Sequence, residues 1–240
     1  MLYLIGLGLN EKGISLEGIE AIKKCKIVFL EDYTVEFSYS AEKLEKIIGK
    51  KVISANREFI ENFDVLKDAK KSNIALLVYG SPLTATTHIS LIQEAKKQKI
   101  NYEIIYNASI LDAVAETGLQ LYKFGKITSM PAWQRDKNYQ PDSFMDILKE
   151  NRFINSHSLI LIDIGLEFRK ALFQLVFSAE KYDFSIDKMV VCSRLGTKDS
   201  RIFYGTIPEL KGRKIDAPFC FIIPGEMHFF EKEILENFKN

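Results

Sequence analysis

Cysteine, histidine and tryptophan are scarce in this chain: three, three and one among 240 residues. Cys25, Cys192 and Cys220 are widely spaced, odd in number and without a C-x-x-C pair. That pattern excludes a disulfide framework and predicts reduced thiols in a cytoplasmic protein. Each lies in an apolar segment, where buried packing is the expected role. His88, His157 and His228 show no ligand spacing with one another or with cysteine, so no metal is expected. Charge of one sign is not in excess. The 33 basic and 32 acidic residues leave a net charge of +1, which gives no electrostatic footprint for nucleic acid. No apolar run is long enough to span a bilayer, so no membrane association is expected. The opening Met1-Leu2-Tyr3-Leu4 turns at Gly6 without the charged and apolar regions of a signal peptide.

What is present is an alternation of strands and helices. Apolar runs at residues 1–5, 26–30, 51–54, 74–79 and 102–105 read as strands. Helical patterns at 15–24, 41–48, 62–71 and 89–98 separate them, the first with Ser15 as its N-cap and the second closed by Gly49. This order predicts a mainly parallel sheet covered on both faces. After a helix at 109–117 the texture changes. Strands are expected at 128–131, 158–164, 189–193, 201–205 and 219–224, with helices at 143–151, 168–181 and 227–238. The expected fold class is α/β, in two α/β domains, residues 1–117 and 118–240.

Three segments carry candidate chemistry. Gly80-Ser81-Pro82-Leu83-Thr84-Ala85-Thr86-Thr87-His88 follows a buried strand and precedes a helix. Gly80 permits unusual backbone angles, Pro82 fixes its own φ, and the small residues allow close approach of a ligand at the carboxyl edge of a sheet. Gly6-Leu7-Gly8 resembles half of a dinucleotide fingerprint, with Glu31 near the position of a ribose-binding acid. The third glycine would fall at Glu11, and the helix starts late, at Ser15, so a nicotinamide enzyme is a poor fit. Asn107-Ala108-Ser109-Ile110 opens a helix. Its residues either cap that helix or present backbone N–H groups to a ligand. No G-x-S-x-G elbow or paired carboxylates of glycoside chemistry are present. Asp163, ending a strand, is either a bonded carboxylate or an exposed terminus.

Together these segments resemble the diphthine synthase family, S-adenosylmethionine-dependent methyltransferases of the tetrapyrrole-methylase-like type. The resemblance rests on MLYLIGLGL, LEDYT at residues 30–34, GSPLTATTH, NASILDAV, TGLQLYKFGK at 117–126, Pro141-Asp142-Ser143-Phe144, Ile162-Asp163-Ile164, Ser193-Arg194-Leu195-Gly196 and Ile223-Pro224-Gly225. It implies a homodimer with the cofactor in the inter-domain cleft. It implies methylation of the amino group of a 3-amino-3-carboxypropyl-histidine on elongation factor 2, during diphthamide synthesis. Archaeal members add three methyls and eukaryotic members a fourth, on the carboxylate; the compact length is closer to the archaeal form. Carried over by motif, the cofactor contacts are Leu9, Ser81, Thr84, Ser109, Ile110, Ile162, Leu195 and Phe219.

Two of these depart from the family pattern, which has Asp at the place of Ser81 and often His at that of Phe219. The Gly-x-His run before the I-D-I strand is here Asn155-Ser156-His157. No side chain stands out as a catalytic base. Arg194 is a candidate partner for the substrate carboxylate, or else a surface ion pair. Tyr33, Tyr122 and Trp133 are candidates for an aromatic surface against a growing ammonium group. The alternatives are a related methyltransferase acting on a tetrapyrrole or ribosomal RNA, and a cofactor-binding protein without turnover.

Overall fold

The structure is a computed structural model that describes residues 1–239. The chain divides into two compact units, Met1–Leu111 and the part from Asp112 onward.

The first unit is a five-stranded parallel sheet. Its strands are β1 (Leu2–Gly6), β2 (Ile27–Glu31), β3 (Ile53–Ala55), β4 (Ile74–Val78) and β5 (Tyr102–Ile105), in the order β3-β2-β4-β1-β5. Its helices are α1 (Leu16–Lys24), α2 (Ala41–Ile48), α3 (Arg57–Glu61), α4 (Asp64–Ala69) and α5 (Ile89–Lys97), with the short α6 (Ile110–Ala113) at the unit's end. β1 and β4 are buried along their whole length, as strands covered on both faces must be. Alternate residues feed two separate cores. Leu2, Leu4, Ile74, Leu76 and Val78 pack with Ile60, Val65, Leu66, Leu91 and Ile92 of α3, α4 and α5. Tyr3, Ile5, Ala75 and Leu77 pack with Ala21, Ile22, Leu44 and Ile48 of α1 and α2.

This sorting follows from connection handedness. From β1 to β2 and on to β3 the chain moves one way along the sheet, and from β3 to β4 and β5 it returns. Right-handed crossovers then place the two sets of helices on opposite faces. The chain therefore leaves β1 toward one face and its neighbour β4 toward the other, which makes their carboxyl ends a topological switch point.

Local chemistry sets the helix ends. Ser15 Oγ accepts the Gly18 N–H at 3.0 Å, and Gly49 closes α2 at φ +70°. The helix expected at 62–71 is the shorter α4, which begins at Asp64 because Phe63 takes φ +61°; α3, just before it, has no counterpart among the expected helices. The helix expected at 109–117 is one α-helical turn, α6, followed by a 3₁₀ turn over Val114–Thr117 that ends at Gly118.

The second unit has its own five-stranded sheet: β6 (Thr128–Met130), β7 (Ser158–Ile162), β8 (Met189–Ser193), β9 (Arg201–Gly205) and β10 (Phe219–Ile223), in the order β6-β7-β10-β8-β9. Only the β6–β7 pair is parallel among these ladders. Helices α7 (Phe144–Phe153), α8 (Phe168–Lys181) and α9 (Ile207–Lys211) bury Phe144, Leu148, Ala171, Leu172, Leu175 and Leu210 against Met130, Ile160, Val191 and Phe221. α9 has no counterpart in the sequence reading; Thr206 and Glu209 form its capping box. The last helix is α10 (Phe229–Glu236). The three cysteines are free and buried, and Cys192 faces Cys220 across β8 and β10. No helix among the described residues is long and apolar enough to cross a membrane.

Candidate functional site

At the carboxyl edge of the first sheet, the loops after β1, β4 and β5 meet. Gly8 and Gly80 join the first two: Gly8 N–H donates to Gly80 O at 3.1 Å and Gly80 N–H to Gly8 O at 2.9 Å. Both glycines have φ +69°, a region that side chains disfavour. Gly6 has a different reason to be glycine. A Cβ there would lie 2.6 Å from Gly80 O and 3.0 Å from Pro82 Cδ. Of the predicted contacts, Leu9, Ser81, Thr84, Ser109 and Ile110 are all carried on these loops or at the start of α6. Leu9, Ser81 and Ser109 are buried. A Cβ on Gly80 would be 3.7 Å from Ser109 Cα, which places the β4 and β5 loops side by side.

The β4 loop is a folded turn. Thr84 N–H donates to Ser81 O at 3.1 Å, and Ala85 takes φ +54°. Pro82 O receives the Thr86 hydroxyl and lies 3.0 Å from His88 Nδ1. A carbonyl accepts only, so the His88 proton sits on Nδ1, and the buried Nε2 has no hydrogen-bond partner among the described residues. Glu31 is no ligand acid. It is buried, and its carboxylate accepts the Tyr33 and Thr34 N–H groups at 2.9 and 2.8 Å and the Thr34 hydroxyl at 2.7 Å, so it builds its own loop.

In the second unit, Ile162, Leu195 and Phe219 share one end of the sheet. Phe219 pairs with Ser193, and the Cys220–Leu161 pair places Ile162 next in register. The Phe219 ring packs against Phe168 and Phe221, with centroids 5.9 and 5.7 Å apart, so its side chain belongs to the core of this unit. Leu195 sits in a turn between Arg194 at φ +52° and Gly196 at φ +75°. Arg194 Nε donates to Ala217 O at 2.9 Å, and its guanidinium lies 3.8 Å from Asp216. Asp163 is exposed and accepts the Ala132 and Ile164 N–H groups. Trp133 packs edge-on against Phe173 and Phe177, Tyr122 is exposed, and Arg57 lies over the ring of Tyr33.

The second unit also holds a buried polar network that sequence reasoning missed. Glu231, fully buried, accepts Gln120 N–H at 2.9 Å, Lys123 Nζ at 2.5 Å and His228 N–H at 2.7 Å, and lies 3.1 Å from His157 Nε2. Burial pushes the Glu231 carboxyl up. The donors from Gln120, Lys123, His228 and His157 outweigh it and hold the group down at about 2. His157 Nδ1 accepts the Gly225 N–H at 2.9 Å, so the proton resides on Nε2 and is donated to Glu231. Burial keeps the imidazole below its ordinary pKa, against the upward pull of Glu231. The TGLQLYKFG segment is thus tied to His157 and to α10 by structure. The one local signal was the spacing of His228 and Glu231, which form a capping box.

A parallel sheet with a glycine-paired switch point, followed by a second mixed sheet, is the architecture of a ligand-binding α/β protein. The chain belongs to the tetrapyrrole (corrin/porphyrin) methylase family, whose model matches residues 1–211. It is 37% identical to the diphthine methyl ester synthase of Schizosaccharomyces pombe, over 98% of this chain and 93% of that protein. It is 39% identical to that of Candida glabrata, over 100% of this chain and 93% of that one. A solved diphthine synthase structure matches with a TM-score of 0.89 at 29% identity, covering 99% of this chain and 95% of that chain. The chain is therefore a methyltransferase. The compact length suggested the archaeal form, yet these two curated relatives are eukaryotic methyl ester synthases.

Proposed function

We propose that this chain transfers methyl groups from S-adenosylmethionine to the amino nitrogen of 3-amino-3-carboxypropyl-histidine on elongation factor 2, in diphthamide synthesis. The observation that carries this reading is the full-length likeness to diphthine methyl ester synthases. The name of these relatives, methyl ester synthase, supports a further transfer to the carboxylate. The proposed cofactor contacts are Leu9, Ser81, Thr84, Ser109 and Ile110 in the first unit and Ile162, Leu195 and Phe219 in the second. The donor set fits such a ligand. Ser81 and Thr84 offer hydroxyls to polar atoms, Ser109 Oγ accepts the Leu111 N–H at 3.2 Å at the start of α6, and Leu9 and Ile110 offer apolar surface to a flat ring.

Bound there, the cofactor supplies a methyl carbon already activated by its sulfonium. Held by Leu9, Ser81, Thr84, Ser109 and Ile110, it would give that methyl to the substrate amine and keep the carbon–sulfur bonding pair on sulfur, and the amine would release one proton. The residues of this chain have to hold the reacting atoms in line and exclude water, which can supply ~7–11 kcal/mol of the barrier. No base from this chain is assigned, because desolvation of the amine suffices to keep it neutral.

A homodimer and a cytoplasmic location belong to the same reading. Exposed Tyr122, Ile154 and Phe229, with polar Lys123, Asn155, Glu226 and His228 among them, line an open groove of about 630 Å³ in the second unit, a mixed surface that a second copy would cover in this reading. The test uses methyl-labelled S-adenosylmethionine and elongation factor 2 carrying the aminocarboxypropyl-histidine. Label on the factor is expected. Cofactor binding without transfer would favour a non-catalytic cofactor-binding protein, and label on a tetrapyrrole or ribosomal RNA instead would favour the related methyltransferases.

A further inference from the structure

The β1 loop closes on itself. A Cβ on Gly13 would lie 2.8 Å from Leu7 O, and Gly13 N–H donates to Asn10 O at 3.0 Å. One side chain from another strand spans the ends of this ring. Asn107, just after β5, donates from Nδ2 to Gly6 O at 3.0 Å and to Gly13 O at 2.9 Å. Its Oδ1 accepts the Ala108 N–H at 2.8 Å. A primary amide has two N–H donors, and both are used here on the two carbonyls that begin and end the loop. Tyr79 holds the loop's far side, its hydroxyl donating to Leu9 O at 3.0 Å.

We propose that Asn107 is a positioning residue: its amide fixes the β1 loop against the Ser109–Ile110 segment before any ligand arrives, and so sets the cofactor affinity. The inference rests on the reading of Leu9, Ser109 and Ile110 as cofactor contacts. Asn107 joins the two loops that bear them and is itself none of those contacts. Asparagine suits the task where its relatives do not. Aspartate keeps the size and the acceptor for Ala108 but turns an acceptor toward two carbonyls. Alanine leaves both carbonyls unbonded. A preformed loop spares the ligand the cost of ordering it.

The experiment compares the full-length protein with Asn107→Ala and Asn107→Asp. Three quantities are read: calorimetric Kd for S-adenosylmethionine, kcat at saturating cofactor, and hydrogen exchange of the Gly8 and Gly80 amides. Both variants are expected to bind roughly tenfold more weakly, equivalent to ~1.4 kcal/mol, with faster exchange at Gly8 and little change in kcat. Unchanged Kd in both variants overturns the inference. So does a fall in kcat equal to the loss of affinity, and so does failure of both variants to fold, which would make Asn107 a determinant of the fold. If the wild-type protein binds no S-adenosylmethionine, the functional reading fails instead, and exchange at Gly8 still reports whether Asn107 holds the loop.

Discussion

His157 donates its Nε2 proton to Glu231 Oε1 across 3.1 Å, with both side chains completely buried. The pair has a consequence for acid stability. His157 is held below its ordinary pKa of 6.5 in the fold, so the unfolded chain takes up a proton first as pH falls. Its contribution is full at pH above the unfolded value and is lost below it. Glu231 titrates at about 2 in the fold against 4.5 ordinarily, so its contribution is present above about 4.5 and lost as pH falls toward 2. That carboxylate accounts for roughly 3 kcal/mol. Denaturant titrations at about pH 8 and about pH 5 should show stability falling with acid, and His157→Gln should shrink the difference. An equal pH dependence in wild type and variant would contradict the assignment.

Glycine at position 6 is required by contact rather than by backbone angle. In Gly6→Ala the new methyl would meet Gly80 O at 2.6 Å and Asn107 Cβ at 2.9 Å, both part of the packed loop cluster. We expect a loss of ~1–3 kcal/mol in stability and weakened cofactor binding, because the β1 and β4 loops must separate. Gly49→Ala is the control. It has φ +70°, and nothing among the described residues lies within 4 Å of its added Cβ. It should cost about 1–2 kcal/mol from the left-handed backbone and leave methyl transfer intact. Thermal melts and transfer assays on both variants decide the matter.

Ser81 stands where the resemblance to the diphthine synthase family leads us to expect a carboxylate. A carboxylate can form charge-assisted hydrogen bonds with a cationic ligand, each worth about 1.5–3 kcal/mol, where a hydroxyl forms a weaker neutral one. Ser81 is only 8% exposed, so an unpaired Asp there would lose much of its hydration. Ser81→Asp should therefore lower the melting temperature without ligand and tighten S-adenosylmethionine in calorimetry. Absence of any tightening would remove this account of the substitution.

Much of the architecture was legible because its causes are local. The runs LYLIG and IALLV are buried on both faces as their uninterrupted apolarity requires. Ser15 caps α1 and Gly49 ends α2 where local chemistry places them. The misread helix at 62–71 shows the limit. Its composition permits a helix from residue 62, and only packing puts Phe63 into the left-handed region and moves the start of α4 to Asp64. The β1, β4 and β5 loops could each be recognised as ligand-suited segments. That Gly8 pairs with Gly80, and that Asn107 reaches back to Gly6 and Gly13, depends on which strands are neighbours.

The sequence by itself determined the class: alternating buried strands and amphipathic helices, turns of glycine and small hydroxyl residues after β1 and β4, and the motif order of one methyltransferase family. Tertiary structure alone decided what several of those residues do. Glu231 gathers donors from Gln120, Lys123 and His157, which lie 111, 108 and 74 residues away in the chain. Glu31, placed like a ribose acid, spends its carboxylate on Tyr33 and Thr34. The physical reason is the range of the interactions. Periodicity, capping and turn propensity act over a few residues, whereas a buried polar atom is satisfied by whatever the fold brings within about 3 Å of it.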